Sequence, residues 1–172
     1  MRPEGITDIR RFMRKHIIGI ALVLLAGSSA LAQDSTDTKT RFGRLTVTED
    51  QKLLFQGRPF EPPIEGNNGL AVAEPYQIGA TDVVLVTDLG GTACPATYYF
   101  VTVSKSGAQA SPSFGTCSDL TTVKRTGDSI SISMPGFAQP FDSKMEKRKA
   151  ARERHVFIFS AGVLTDNGKR VK

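Results

Sequence analysis

The chain contains no tryptophan, only two cysteines, and only two histidines, one of which, His16, falls in its first segment. Each scarcity excludes a chemistry. With His155 alone left for the body of the chain, a multi-histidine metal site is excluded, and no His/Glu spacing matches a zinc motif, so no metal and no cofactor is expected. There is no GxSxG elbow and no Ser-x-x-Lys pair to supply a hydrolase nucleophile. Gly90-Gly91 lacks both the spacing and the lysine of a phosphate-binding loop. No catalytic residue is assigned from the sequence.

Long apolar runs are missing as well. The one candidate, Ile17 to Ala26, is shorter than the ~20 residues that a membrane-spanning helix wants. It follows Arg10, Arg11, Arg14 and Lys15 and precedes Ala30-Leu31-Ala32, which is the layout of a secretory signal. Residues 1–32 are therefore expected to be removed between Ala32 and Gln33, leaving no transmembrane anchor, with translation starting at Met1 or Met13. Five of the 22 Lys/Arg and two of the 17 Asp/Glu lie in that segment, so the formal charge falls from +5 to +2 without it. A charge that small is no whole-protein argument for nucleic acid, and with export no nucleic acid is expected as a partner.

Export bears on the cysteines. In an oxidising compartment, Cys94 and Cys117 are expected to pair. The Cys94-Pro95 step also suits a redox turn, but such motifs put the sulfur at a helix N-terminus, and here the following residues alternate as a strand.

What is present in quantity is short β-pattern. After a polar lead-in (33–41), Leu45–Thr48 and Lys52–Phe55 read as a hairpin, and residues 60–69 as loop. Leu70–Ala73 forms a short strand, and Pro75 makes the next residues an edge. Asp82–Asp88 is a near-continuous apolar run, the mark of a strand covered on both faces. Thr97–Ser104 alternates, and Tyr99, Val101 and Val103 are expected on its core side. Ala110–Phe114, Leu120–Lys124, Ser129–Met134, Val156–Phe159 and Val163–Thr165 complete the set, before a polar tail (166–172). Turn signals every 8–12 residues predict a mainly β fold: an antiparallel meander over 42–165, closing as a small sandwich or barrel, with one late α-helix and one disulfide.

The helix is predicted from Ser143 to Arg154, with Ser143-x-x-Glu146 as a capping box. At about 100° per residue, Lys144, Lys147, Arg148, Arg152 and Arg154 share one side. A one-sided basic face is a candidate for contact with an anionic surface or an acidic envelope protein, or else a solvated face whose stems lie on the sheet. The scattered acids Asp82, Asp88, Asp119 and Asp128 read as turn residues that satisfy backbone donors.

Gly90-Gly91-Thr92-Ala93-Cys94-Pro95-Ala96, Phe114-Gly115-Thr116-Cys117-Ser118-Asp119 and Met134-Pro135-Gly136-Phe137, with Tyr76-Gln77 and Asp82–Leu85 ahead of them, resemble an uncharacterised family of exported Gram-negative bacterial proteins. The resemblance spans about residues 69–159. It implies a shared domain and a periplasmic or secreted location, and it implies no activity. The expected function is a non-catalytic binding or interaction module of the envelope. Two alternatives stand beside it: a carrier of a small apolar ligand in a β-barrel or sandwich cavity, and a hydrolase using His155 or paired acids.

Overall fold

A computed structural model describes residues 37–172 of the chain. Residues 1–32, read above as a secretory signal, lie outside the described residues. The fold is built on β7 (Thr81–Leu89) and β8 (Ala96–Ser104), which pair antiparallel from Asp82↔Val103 to Leu89↔Ala96. Because side chains in a strand alternate, each of these strands presents two faces. Val84, Val86, Val101 and Val103 point to one side, while Val83, Leu85, Tyr98 and Phe100 point to the other, and all eight are buried.

Each face is covered by a separate sheet. On the valine side lies β1 (Asp37–Thr40), β2 (Gly43–Val47), β3 (Leu53–Phe55) and β4 (Arg58–Pro59), in that order. It contributes Leu45, Val47 and Leu53, and the loop after it adds Phe60 and Ile64. On the aromatic side lies β11 (Thr122–Thr126), β12 (Ser129–Pro135), β13 (Arg154–Ser160), β14 (Val163–Asp166) and β15 (Lys169–Arg170). Strict alternation in β12 sends Ile130, Ile132 and Met134 inward, where Phe157, Phe159 and Leu164 join them. Phe100 stacks between Phe114, at 5.2 Å, and Phe159, at 4.8 Å. The central sheet is completed by β5 (Gly69–Val72), β6 (Tyr76–Ile78), β9 (Gly107–Ala110) and β10 (Phe114–Cys117). The fold is thus mainly β and antiparallel, with one late helix, and its sheets are layered rather than closed into a barrel.

Both faces of β8 are core, so the one-sided reading of Tyr99, Val101 and Val103 is too narrow. Tyr98 and Phe100 face the larger cluster. Two polar stretches also differ from expectation. Asp37–Thr40 in the lead-in forms β1, and Lys169–Arg170 in the tail forms β15. Both are edge strands held by backbone pairing, with little side-chain burial for hydropathy to report.

The first sheet is fastened to the central one by a charge. Arg41, in the β1–β2 turn, donates from its backbone N–H to Asp82 Oδ2 at 2.6 Å and from Nε to Oδ1 at 2.7 Å. Its Nη2 also reaches the Thr81 carbonyl at 2.6 Å. Asp82 is fully buried at the head of β7. A buried carboxylate is tolerated because several donors replace its lost water.

Cys94 and Cys117 are bonded, with their Cα atoms 4.6 Å apart. The tie closes the turn between β7 and β8 onto the end of β10. Gly90 is required in that turn, since a Cβ there would collide with the Cys94 carbonyl oxygen. Next to the bridge, the buried Tyr98 hydroxyl donates to the Ser118 carbonyl at 2.9 Å.

Three measurements follow from this architecture. Arg41→Ala leaves Asp82 buried with fewer donors, and urea unfolding is expected to show a loss of about 3 kcal/mol; an unchanged midpoint would refute the fastening role. Reducing the bridge between cysteines 23 residues apart is expected to cost about 3 kcal/mol, and intact-mass analysis of oxidised protein should find no free thiol. Tyr98 gives a pH signature. Burial raises its phenol above the ordinary value of 10.0, a hydrogen bond with Thr121 opposes this, and the Asp119 charge adds to it. The unfolded chain therefore loses that proton first, so stability should decline as pH rises past about 10. Tyr98→Phe should flatten that decline, while costing about 1–2 kcal/mol at neutral pH through the orphaned Ser118 carbonyl.

Candidate functional site

The predicted basic element is α1, Lys144–Arg152. Ser143 caps it: the Ser143 hydroxyl accepts from the Glu146 N–H at 3.2 Å, and Glu146 Oε2 accepts from the Ser143 N–H at 2.8 Å. Hydrogen bonding to its carboxylate, from the Ser143 hydroxyl first and the Ser143 backbone N–H second, holds the Glu146 carboxyl below its ordinary value. The helix ends sooner than expected. Glu153 is its C-cap in an extended conformation, and Arg154 already belongs to β13. Lys144, Lys147, Arg148 and Arg152 are therefore helical, while Arg154 is an exposed strand residue beside them in sequence.

The helix is seated by its C-terminal turn. A Cβ at Gly136 would lie 2.9 Å from the Ala150 carbonyl oxygen and 2.7 Å from Glu153 Oε2, so the glycine makes room for it. Upstream, Gln139 Nε2 donates to the Ala93 carbonyl at 2.8 Å, tying the approach to the helix to the cysteine loop. Ala150, Glu146 and Glu153 thus mark the side toward the body. At about 100° per residue, Arg148, Arg152, Lys144 and Met145 occupy the opposite side. No residue of the helix is buried. Lys147 is partly spent locally, since its Nζ donates to the Pro140 carbonyl.

The sequence reading passed over Phe141. It stands two residues before the N-cap, 85% exposed, and Met145 is 78% exposed. Two large apolar side chains this open beside a cationic face are unusual, because burying either would yield about 1.5–3 kcal/mol. The available signal was an aromatic in Pro140-Phe141-Asp142, outside every apolar period.

The remaining candidates are placed as follows. His155 Nδ1 meets the Asp166 carboxylate at 2.9 Å, and its ring lies 6.0 Å from that of Phe157. Asp166, expected to begin the polar tail, instead ends β14 and holds this contact. Among the described residues, no side-chain hydroxyl hydrogen-bonds the other ring nitrogen. Asp88 Oδ1 accepts from the Asn67 N–H at 2.8 Å, the turn-residue role expected of it. Asp82 also accepts a backbone N–H, that of Arg41, and adds to it an ion pair with the same residue's side chain. Among the described residues, no group of three His, Cys, Asp or Glu side chains is arranged to hold a metal, and no helix is long and apolar enough to cross a membrane.

One cleft had no counterpart in the sequence pattern. A cleft of about 720 Å³ runs between the edge of the first sheet and the β8–β9 hairpin, lined by Phe42, Phe55 and Phe60 with Arg58, Glu61 and Lys105 at its rim. A smaller slot of about 270 Å³ opens by Ile78, Val83 and Phe159. Compared with protein-family models, with curated proteins and with solved structures, the chain finds no match in any of the three.

The cap provides a check on the helix. Ser143→Ala removes the bond that chiefly lowers the Glu146 carboxyl, and amide exchange in Lys144–Arg152 should quicken several-fold with the β-sheets unaffected. In the parent, the Glu146 contribution should be present at neutral pH and fade as pH falls below about 4, since a depressed carboxyl is lost only on protonation. Equal exchange in parent and variant across that range would show that the box does not hold the helix.

Proposed function

We propose that the protein is an exported, non-catalytic binding module of the cell envelope, and that it docks on an anionic lipid surface through α1. The observation that carries this reading is that α1 buries none of its residues, yet directs Lys144, Arg148 and Arg152 outward next to the exposed Met145 and Phe141. A lysine or arginine close to an anionic leaflet is worth about 1 kcal/mol, so three amount to about 3 kcal/mol. Phe141 and Met145 supply the shallow apolar contact that charge alone lacks. The disulfide supports an oxidising location, as do the secretory pattern of residues 1–32 and the resemblance to exported Gram-negative proteins. The helix is a contact element rather than an anchor, being only nine residues long.

Sedimentation with vesicles of phosphatidylglycerol in phosphatidylcholine tests the reading. Binding should require the anionic lipid and weaken as salt is raised. Arg148→Glu combined with Arg152→Glu should reduce it by about tenfold or more, and Phe141→Ser combined with Met145→Ser by a smaller factor, with melting temperatures unchanged. Equal sedimentation of parent and charge-reversed protein would overturn the proposal.

A further inference from the structure

The cleft beside β9 has the makings of a second contact site, independent of α1. β9 pairs only with β8, through Val101↔Ala110, Thr102↔Gln109, Val103↔Ala108 and Ser104↔Gly107. In an antiparallel ladder, hydrogen-bonded and non-bonded pairs alternate. The Ser111 N–H bonds the Phe100 carbonyl at 2.8 Å, which makes positions 100, 102 and 104 the bonded ones. Gly107 and Gln109 therefore spend their backbone groups on β8. The N–H and C=O of Ala108 and Ala110 point the other way, and among the described residues nothing bonds them.

Open edges are usually blunted by charge or proline. β4 carries Arg58-Pro59, β11 carries Lys124-Arg125, and β15 is Lys169-Arg170. β9 reads Gly-Ala-Gln-Ala and has neither device. Its side chains are also small, so another backbone can approach closely. Residues of both parities, Ala108 and Gln109 alike, line the cleft, so the cleft follows the strand's edge rather than one of its faces. On the valine side of that edge, Phe42, Phe55 and Phe60 line the same cleft. Around the rim, Arg58 and Lys105 outnumber Glu61.

We propose that this cleft binds an extended peptide segment of another protein, which adds as a strand to β9 and alternates apolar with acidic residues. Backbone bonds to Ala108 and Ala110 fix the segment in the plane of the sheet. Its apolar side chains rest on the three phenylalanines, and its carboxylates, which alternation sends to the other face, are favoured by the field of the cationic rim that Arg58 and Lys105 make. Such recognition reads a pattern of alternation rather than a unique sequence, because the main chain supplies the bonds. The site does not depend on the lipid reading, and it is tested without lipid.

The experiment is a titration of the full, disulfide-bonded protein by nuclear magnetic resonance. One probe is the acetylated, amidated peptide Glu-Val-Asp-Phe-Glu-Val-Asp, and the other is the same peptide with every acid replaced by lysine. The acidic peptide should shift the Ala108 and Ala110 amide resonances saturably and slow their exchange, while the lysine peptide binds about tenfold more weakly or worse. Ala108→Pro removes an outward N–H without touching the bonds to β8, and should weaken binding by about tenfold. Should that variant fail to fold, Arg58→Glu with Lys105→Glu, on exposed side chains, should give a similar loss. The proposal is overturned if millimolar acidic peptide leaves both amides unshifted, or if the variants bind as the parent does. It is also overturned if the two amides are protected in a concentration-dependent way without peptide, since the edge would then belong to a second copy of this chain.

Discussion

The rest of the molecule depends on the covering of β7 and β8 from both sides. A strand with one wet face needs only alternate apolar residues. These strands need apolar residues at nearly every central position, which is why Val83, Val84, Leu85 and Val86 run without a break. The two clusters they serve are separate: valines and leucines with Phe60 fill one side, and a stack around Phe100 with Ile130, Ile132 and Met134 fills the other. Large-to-small changes at a site such as Phe100 cost about 3–5 kcal/mol, comparable with the whole margin of a small domain. Reducing the disulfide, or leaving Asp82 buried without Arg41, costs roughly the same amount. Both ties act where packing acts least, at the ends of strands and at the turn that orients the first sheet.

A frame braced in this way leaves the contact elements outside the core. α1 rests on Gly136 by one turn and is tied to the cysteine loop through Gln139 and Ala93. β9 is a hairpin arm held by its partner alone. Neither contributes more than a marginal contact to the clusters, so their sequences are free to answer to a partner instead of to folding. Within the Gly90–Asp119 stretch the same division holds: its glycine, cysteines and Tyr98 set positions, while the β9 arm between them is left open at its edge.

Most of the fold was legible because its determinants are local. The double covering of β7 shows in an unbroken apolar run, the alternation of β12 in Ser-Ile-Ser-Ile-Ser-Met, and the helix start in Ser143-x-x-Glu146. Less legible were elements whose residues do not bury. β1 and β15 are polar edge strands, and Arg154 looked helical because the residues before it are good helix formers. The candidate sites were legible only in part. The basic face of α1 follows from spacing, but the openness of Phe141 depends on what packs near it. The pairing of Arg41 with Asp82, of His155 with Asp166, and of the cleft phenylalanines with β9 are long-range meetings. A single sequence holds the partners without their geometry. An acid heading an otherwise apolar strand, as Asp82 does, was the one available hint that a cation-bearing turn lay opposite.

Residue-resolved hydrogen exchange on the isolated protein tests the central claim, that a doubly covered pair of strands carries the structure while the contact elements hang outside it. The account expects amides of Val84, Val86, Val101 and Val103 to exchange only through global unfolding, with α1 amides and the outer amides of Ala108 and Ala110 faster by orders of magnitude. It would be contradicted if β7 and β8 exchanged through a local opening well below the global free energy, or if α1 were as protected as they are.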